Sequence, residues 1–357
     1  MIWKYGEYLT IIFYDMDLTK EEKKRLYDLV DFLLLNASGL SSSGLARGKS
    51  GVALALFEVA DLLEDGYLED QAFSLLQETL LSKIQDISFE SGWGGIAFTL
   101  VYLVKNGLLE ADVHDILTDK LRWIRSTTYE LLVQDPFWEV KHLDMVLMWH
   151  LLGGSWFISY RDSALQSAEH VINMLFTSME NGLGCHVSSK RKILQKLQDY
   201  LRIVLLCDGY SPSESLMNRY IGLFKENKFR SEAGIGHFLV QLGIRFKKEH
   251  WEELGYRHLK TAAYIELEEC EPLHKKLTRY FHLLHYDRYA LNIVRQVEQS
   301  FFRSLPDELE KKLEELGKWE SEGVGLGFGV ARLLVLLCAV CRWREGMLPS
   351  RFAFILG

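Results

Sequence analysis

Along this chain, stretches that are apolar at nearly every position alternate with stretches that are apolar on one side only. Val52 to Leu63 is apolar apart from Glu58 and Asp61. The stretch that follows, Glu69 to Ile84, mixes Glu69, Asp70, Gln71, Gln77, Glu78 and Lys83 with a stripe of Phe73, Leu76 and Leu80 at helical spacing. A helix apolar all round belongs in a core, and one with a single apolar stripe belongs outside it. The alternation predicts inner and outer helices in two concentric rings, an all-α fold of the α/α toroid type. Only five prolines punctuate the 357 residues, so long helices can run between them.

Glycine clusters open the apolar stretches, and they repeat. Gly44-Leu-Ala-Arg47-Gly48-Lys-Ser-Gly51-Val-Ala-Leu recurs as Ser91-Gly92-Trp93-Gly-Gly95-Ile-Ala-Phe, with Gly48 and Gly51 each displaced by 44 residues. Ser231-Glu232-Ala-Gly234-Ile is a third copy, and Glu322-Gly-Val-Gly-Leu-Gly-Phe-Gly329-Val a fourth. Three degenerate copies, His142–Leu152, Gly182–Ile193 and His285–Val294, fill the gaps by spacing, giving about seven helical hairpins. Residues 1–40 read as an N-terminal helical segment packing on the ring, and 41–357 as the toroid itself. Glycine at the start of inner helices allows converging backbones to approach closely. The helix N-termini there would direct free N–H groups toward the mouth of the ring, which suits an anionic or carbonyl-bearing ligand. The same glycines are also what tight turns and packing alone require.

Composition narrows the partners. A formal net charge of −8 argues against nucleic acid, which needs a dense basic surface. Five cysteines without regular spacing do not make a disulfide framework, and reduced thiols in the cytoplasm are expected. The first residues lack a signal-peptide pattern, and no apolar run reaches the ~18 residues of a membrane span. The longest candidate, Val330 to Val340, is interrupted by Arg332.

Gly44-Leu-Ala-Arg47-Gly48-Lys-Ser-Gly51-Val-Ala-Leu-Ala-Leu resembles the repeated glycine signature of lanthionine synthetase C-like proteins, and the seven-unit count agrees with it. The resemblance covers the chain from about residue 40 onward. It implies an α/α toroid and, in active members, a zinc-dependent cyclase joining peptide cysteine thiols to dehydrated residues. The partner it implies is a ribosomally made peptide, or the enzymes that modify one. The family's zinc is held by a cysteine in the fifth turn and a Cys-His pair in the sixth. Here those positions align with Phe229, Leu284 and His285. The family's catalytic histidine, in the fourth turn, aligns with His186, where Val187 replaces a glycine. Cys185 and His186 are themselves a Cys-His pair, and with His285 or His237 they make a relocated three-ligand zinc set; the cofactor is therefore either none or zinc.

Other residues on or near the turns are candidate ligand contacts. Arg47 suits a carboxylate or phosphate, and Trp93 a peptide or sugar face. Asp144 and Glu232 are the carboxylates best placed for acid–base work on a glycan, the chemistry of a carbohydrate-active toroid. A non-catalytic scaffold is the third reading. No P-loop, dinucleotide fingerprint, HExxH or GxSxG occurs in the sequence.

Overall fold

A computed structural model describes residues 20–134, 143–153, 155–181, 187–207, 209–264 and 329–344, with single positions at 278, 324, 326 and 352. The described residues form twelve helices and no strand. In chain order these are α1 (Lys20–Ala37), α2 (Lys49–Leu63), α3 (Gly66–Leu80), α4 (Trp93–Lys105), α5 (Val113–Gln134) and α6 (Asp144–Leu152). They continue with α7 (Ser155–Glu180), α8 (Val187–Leu206), α9 (Glu214–Lys225), α10 (Ala233–Phe246), α11 (Glu249–Tyr264) and α12 (Val330–Arg344).

Local chemistry sets the hairpins. The α2–α3 turn is made by Glu64 in the left-handed conformation at φ 54°, with the Asp65 N–H returning to the Ala60 carbonyl. Asp65 then caps α3, its carboxylate accepting the N–H groups of Tyr67 and Leu68. Ser213 caps α9 in the same way through the Leu216 N–H. The inner helices begin differently: Gly48 and Gly92 stand at the N-caps of α2 and α4 with no side-chain cap. Their first donors are met by the preceding loop: the Lys49 and Ser50 N–H groups go to the Ser42 and Ser43 carbonyls, and the Trp93 N–H to the Asp86 carbonyl, while the Glu90 carbonyl of the second turn accepts from Ala46 and Arg47 just before the first cap.

Burial follows the predicted alternation. Every residue from Ser50 to Ala60 in α2 and from Trp93 to Leu103 in α4 is buried, whereas α3 buries only Leu68, Ala72, Leu75, Leu76 and Thr79. Each fully buried Leu or Val contributes roughly 1.5–3 kcal/mol over an exposed one. The inner helices contact one another in the order α2, α4, α6, α8, α10, and α12 packs back against α2. Arg342 of α12 pairs with Asp61 of α2 across this seam between the last and first inner helices. Helix α1 lies against both α12 and α2, on the outer side of that seam. The sixth copy, His285–Val294, lies outside the described residues.

Two glycines show why the repeat is glycine-rich. A Cβ on Gly51 would stand 1.9 Å from the Leu45 carbonyl oxygen and 2.9 Å from the Leu326 side chain. A Cβ on Gly95 would stand 2.2 Å from the Phe89 carbonyl oxygen and 2.5 Å from the Leu45 nitrogen. The first and second turns are therefore pressed together backbone to backbone, and the seventh meets the first through the Leu326 side chain.

Helix α8 departs from the expectation of an inner helix apolar all round. Ile193, Leu194, Leu197, Leu201 and Val204 are buried, but Lys192, Gln195, Lys196, Asp199 and Arg202 form a polar stripe. It begins within the fourth copy, 182–193, whose opening residues 182–186 lie outside the described residues. The start of α10 meets α8 at Gln198, whose side chain fills the space beside Gly234. Gln198 lies eleven residues into α8 from Val187, so the helix rises roughly 16 Å above that level.

Candidate functional site

Four charged side chains from three inner helices meet at the mouth end of the ring. Asp144 is the first residue of α6, level with the start of α4, where Met145 packs against Gly94. Its carboxylate pairs with Arg202 of α8, whose side chain is 14% exposed. Asp199, one turn earlier on α8, accepts a hydrogen bond from Gln195 at 3.0 Å. Arg332, near the start of α12, lies close enough to Arg202, Asp199 and Asp144 to feel their charges.

Their electrostatics are coupled. Burial pushes the Asp199 carboxyl up from the ordinary aspartate range, with Arg202 opposing the shift and Asp144 adding to it. Burial, and then the neighbouring positive charge of Arg202, bring Arg332 down to about 10, so it remains a cation at neutral pH. Two like charges held close in a protein interior need compensation, and Asp144 and Asp199 supply it.

The fifth turn is built from aromatic and imidazole groups. His258 of α11 is fully buried, accepts the Glu232 N–H on Nδ1 at 3.2 Å and touches Tyr220 Oη through Nε2 at 3.0 Å. That pattern places its proton on Nε2. Burial and then Arg257 lower its pKa to about 3, so the ring is neutral. Glu232 caps α10 by position, and its carboxylate pairs with Arg230 at 2.5 Å. Phe229 is 5% exposed and packs 5.8 Å from the rings of Phe176 and Tyr220, on outer helices α7 and α9.

The residues selected from the sequence fall in different places. Asp144 stands in the charged group. Glu232 lies in the fifth turn and is tied to Arg230. Arg47 is exposed on the first turn, beside the Glu90 carbonyl. Trp93 is 1% exposed; its indole N–H donates to the Ile84 carbonyl at 3.2 Å and Lys120 sits 4.3 Å over its ring, so it serves packing. Cys185, His186 and His285 lie outside the described residues. His237, the other proposed partner, stands edge-on to Phe238. Among the described residues no group of three His, Cys, Asp or Glu side chains is placed to hold a metal ion, and Phe229 has no donor atom to offer zinc where the resemblance puts the first ligand.

Sequence reasoning missed Asp199 and Arg202 as site residues and treated Arg332 only as an interruption of an apolar run. Arg332 carried a usable signal: a lone arginine in an inner helix whose neighbours are all buried has to face a polar interior. Asp199 and Arg202 carried a weaker one, since charges three apart share a helix face. A cleft of about 510 Å³ lies at the far end of the ring, between Lys105, Asp112, His114 and Leu152. There Asp112 is occupied in capping α5 through the N–H groups of His114 and Asp115.

No protein-family model matches the sequence, and no curated protein is similar to it in sequence. Among solved structures, a nisin cyclase superposes with a TM-score of 0.62 at 14% identity, covering 95% of this chain and 98% of that one. No described helix is long and apolar enough to cross a membrane. With its described inner helices in succession and α12 packed on α2, the chain has the α/α toroid fold of nisin cyclase, the lanthionine synthetase C-like fold.

Proposed function

We propose that the chain is a divergent lanthionine synthetase C-like protein that binds a ribosomally made peptide at the mouth of its ring and serves peptide modification in the cytoplasm. The observation that carries this reading is the match in fold to nisin cyclase over nearly the full length of both chains. It is supported by a charged group at the mouth end, where Asp144, Asp199, Arg202 and Arg332 converge on the central space. The fifth turn favours binding over zinc-dependent cyclisation, because Phe229 is an apolar packing residue there. The test is co-expression with each short peptide encoded beside the protein, followed by purification and mass spectrometry. Co-purification of one such peptide through its leader supports the reading. A folded protein that retains none of them sinks it.

A second reading has one observation behind it. Asp199, with its carboxyl pushed up, and the ion-paired Asp144 form an unequal carboxylate pair of the kind used in glycoside cleavage. Glycan-hydrolysing activity abolished by Asp144→Asn or Asp199→Asn would put this reading first. Its absence across a panel of glycans removes it.

A further inference from the structure

We propose that the cleft at the far end of the ring, between the ends of α4 and α6 and the start of α5, is a second binding site, and that it takes an apolar dipeptide with both termini free. The cleft encloses about 510 Å³, within the range of small-molecule sites, which join apolar walls to a few placed polar groups. Val101, Val113 and Leu152 supply the apolar wall. Lys105, Glu110 and His114 also line it, and all three are exposed. Lys105 and Glu110 carry opposite charges into one cleft, yet among the described residues neither side chain has an ion-pair or hydrogen-bond partner. Elsewhere opposite charges of neighbouring elements close on each other, as Lys49 does on Glu78 and Lys248 on Glu214.

The backbone that carries these groups is fixed in advance. Lys105 is the last residue of α4, and the loop after it is tied back by the Gly107 N–H on the Val104 carbonyl and the Leu108 N–H on the Leu103 carbonyl. Leu108 is buried, and Asp112 holds the start of α5 through the His114 and Asp115 N–H groups. A rim set before binding loses little order when a ligand arrives. Its charges choose the ligand. A fatty acid would put its one charge on Lys105 and leave the carboxylates facing hydrocarbon, and a polyamine would meet Lys105 as a like charge. A free dipeptide offers a carboxylate to Lys105, an ammonium to Glu110 and apolar side chains to the wall, its ends roughly 7 Å apart when extended. The His114 imidazole can hydrogen-bond the peptide group between them. The site is separate from the mouth, and the proposal does not depend on what the mouth binds.

The test is calorimetric titration of the full chain with Leu-Leu, its N-acetyl form, its C-terminal amide and Gly-Gly, with thermal melting of every variant as a fold control. Leu-Leu is expected to bind, and each of the other three at least about fivefold more weakly. Lys105→Gln should weaken Leu-Leu about fivefold while leaving the amide where it was, and Glu110→Gln should do the same for Leu-Leu against its N-acetyl form. Ala111→Trp, a change at a half-buried loop position on the cleft, should abolish binding by filling the space. No heat from Leu-Leu at millimolar concentration overturns the proposal, as does equal affinity for the free and capped forms. Wild-type affinity in a folded Ala111→Trp protein overturns it too. The double change Asp144→Asn/Arg202→Gln, which removes the ion pair at the mouth, should leave Leu-Leu binding intact; loss of binding there in a folded protein would put the dipeptide at the mouth and remove the far site.

Discussion

His258 joins two helices and a turn through one ring. Its Nδ1 satisfies the otherwise uncapped Glu232 N–H at the start of α10, and its Nε2–H faces Tyr220 on α9. Protonation would put a second hydrogen on Nδ1, against that N–H, and a charge among Phe224, Tyr220 and Phe229. The cost appears as a pKa of about 3 in the folded state, against an ordinary value of 6.5 in the unfolded chain. The unfolded chain therefore binds the proton first as pH falls. The stabilisation from neutral His258 is fully present above pH 6.5 and is lost progressively as pH drops from there toward 3. Urea denaturation between pH 6.5 and 4.5 should show wild-type stability falling by about 1.4 kcal/mol per pH unit more steeply than that of His258→Gln. Parallel slopes for the two proteins would mean that the ring is not held neutral.

Among the elements, what the sequence disclosed depended on whether a turn demanded glycine. The first and second turns pack backbone against backbone, as at Gly95, and the Leu326 side chain closes on Gly51 from the seventh, so only glycine fits and the repeat is visible in the letters. The fourth copy lies partly outside the described residues, and helix α8 meets the start of α10 at Gln198, where a side chain fills the space beside Gly234. No glycine signature marks that contact, and the polar stripe that carries Asp199 and Arg202 was overlooked. Helix α1 has no repeat signature either, yet Leu26, Leu29, Val30, Leu33 and Ala37 are buried against the seam between the last and first inner helices. Leu29→Ala and Leu33→Ala should each cost about 2–5 kcal/mol in chemical denaturation, as in a main core. A cost below about 1 kcal/mol would mark α1 as a peripheral attachment.

For the molecule as a whole, the question is how a toroid of this fold relates to zinc chemistry. Ring closure, the sequence of inner helices and the pressed turns depend on glycines and on apolar surface, and those features persist here at 14% identity to nisin cyclase. A metal site depends instead on a few donor atoms and is lost with any one of them. At the fifth turn the position that the resemblance gives to a cysteine is held by Phe229, packed 5.8 Å from the rings of Phe176 and Tyr220. Installing the family's cysteine should then fail in an informative way. Phe229→Cys is expected to lower stability by about 2–4 kcal/mol by opening a cavity, and to leave zinc content where it was, since the new thiol would sit among outer-helix rings. Metal analysis of both proteins after dialysis checks this. Zinc below stoichiometry in each fits a ring that binds its peptide without a metal. About one zinc per chain in the wild type, lost on replacing Cys185 or His186, would instead establish a relocated site and return the cyclase reaction to this fold.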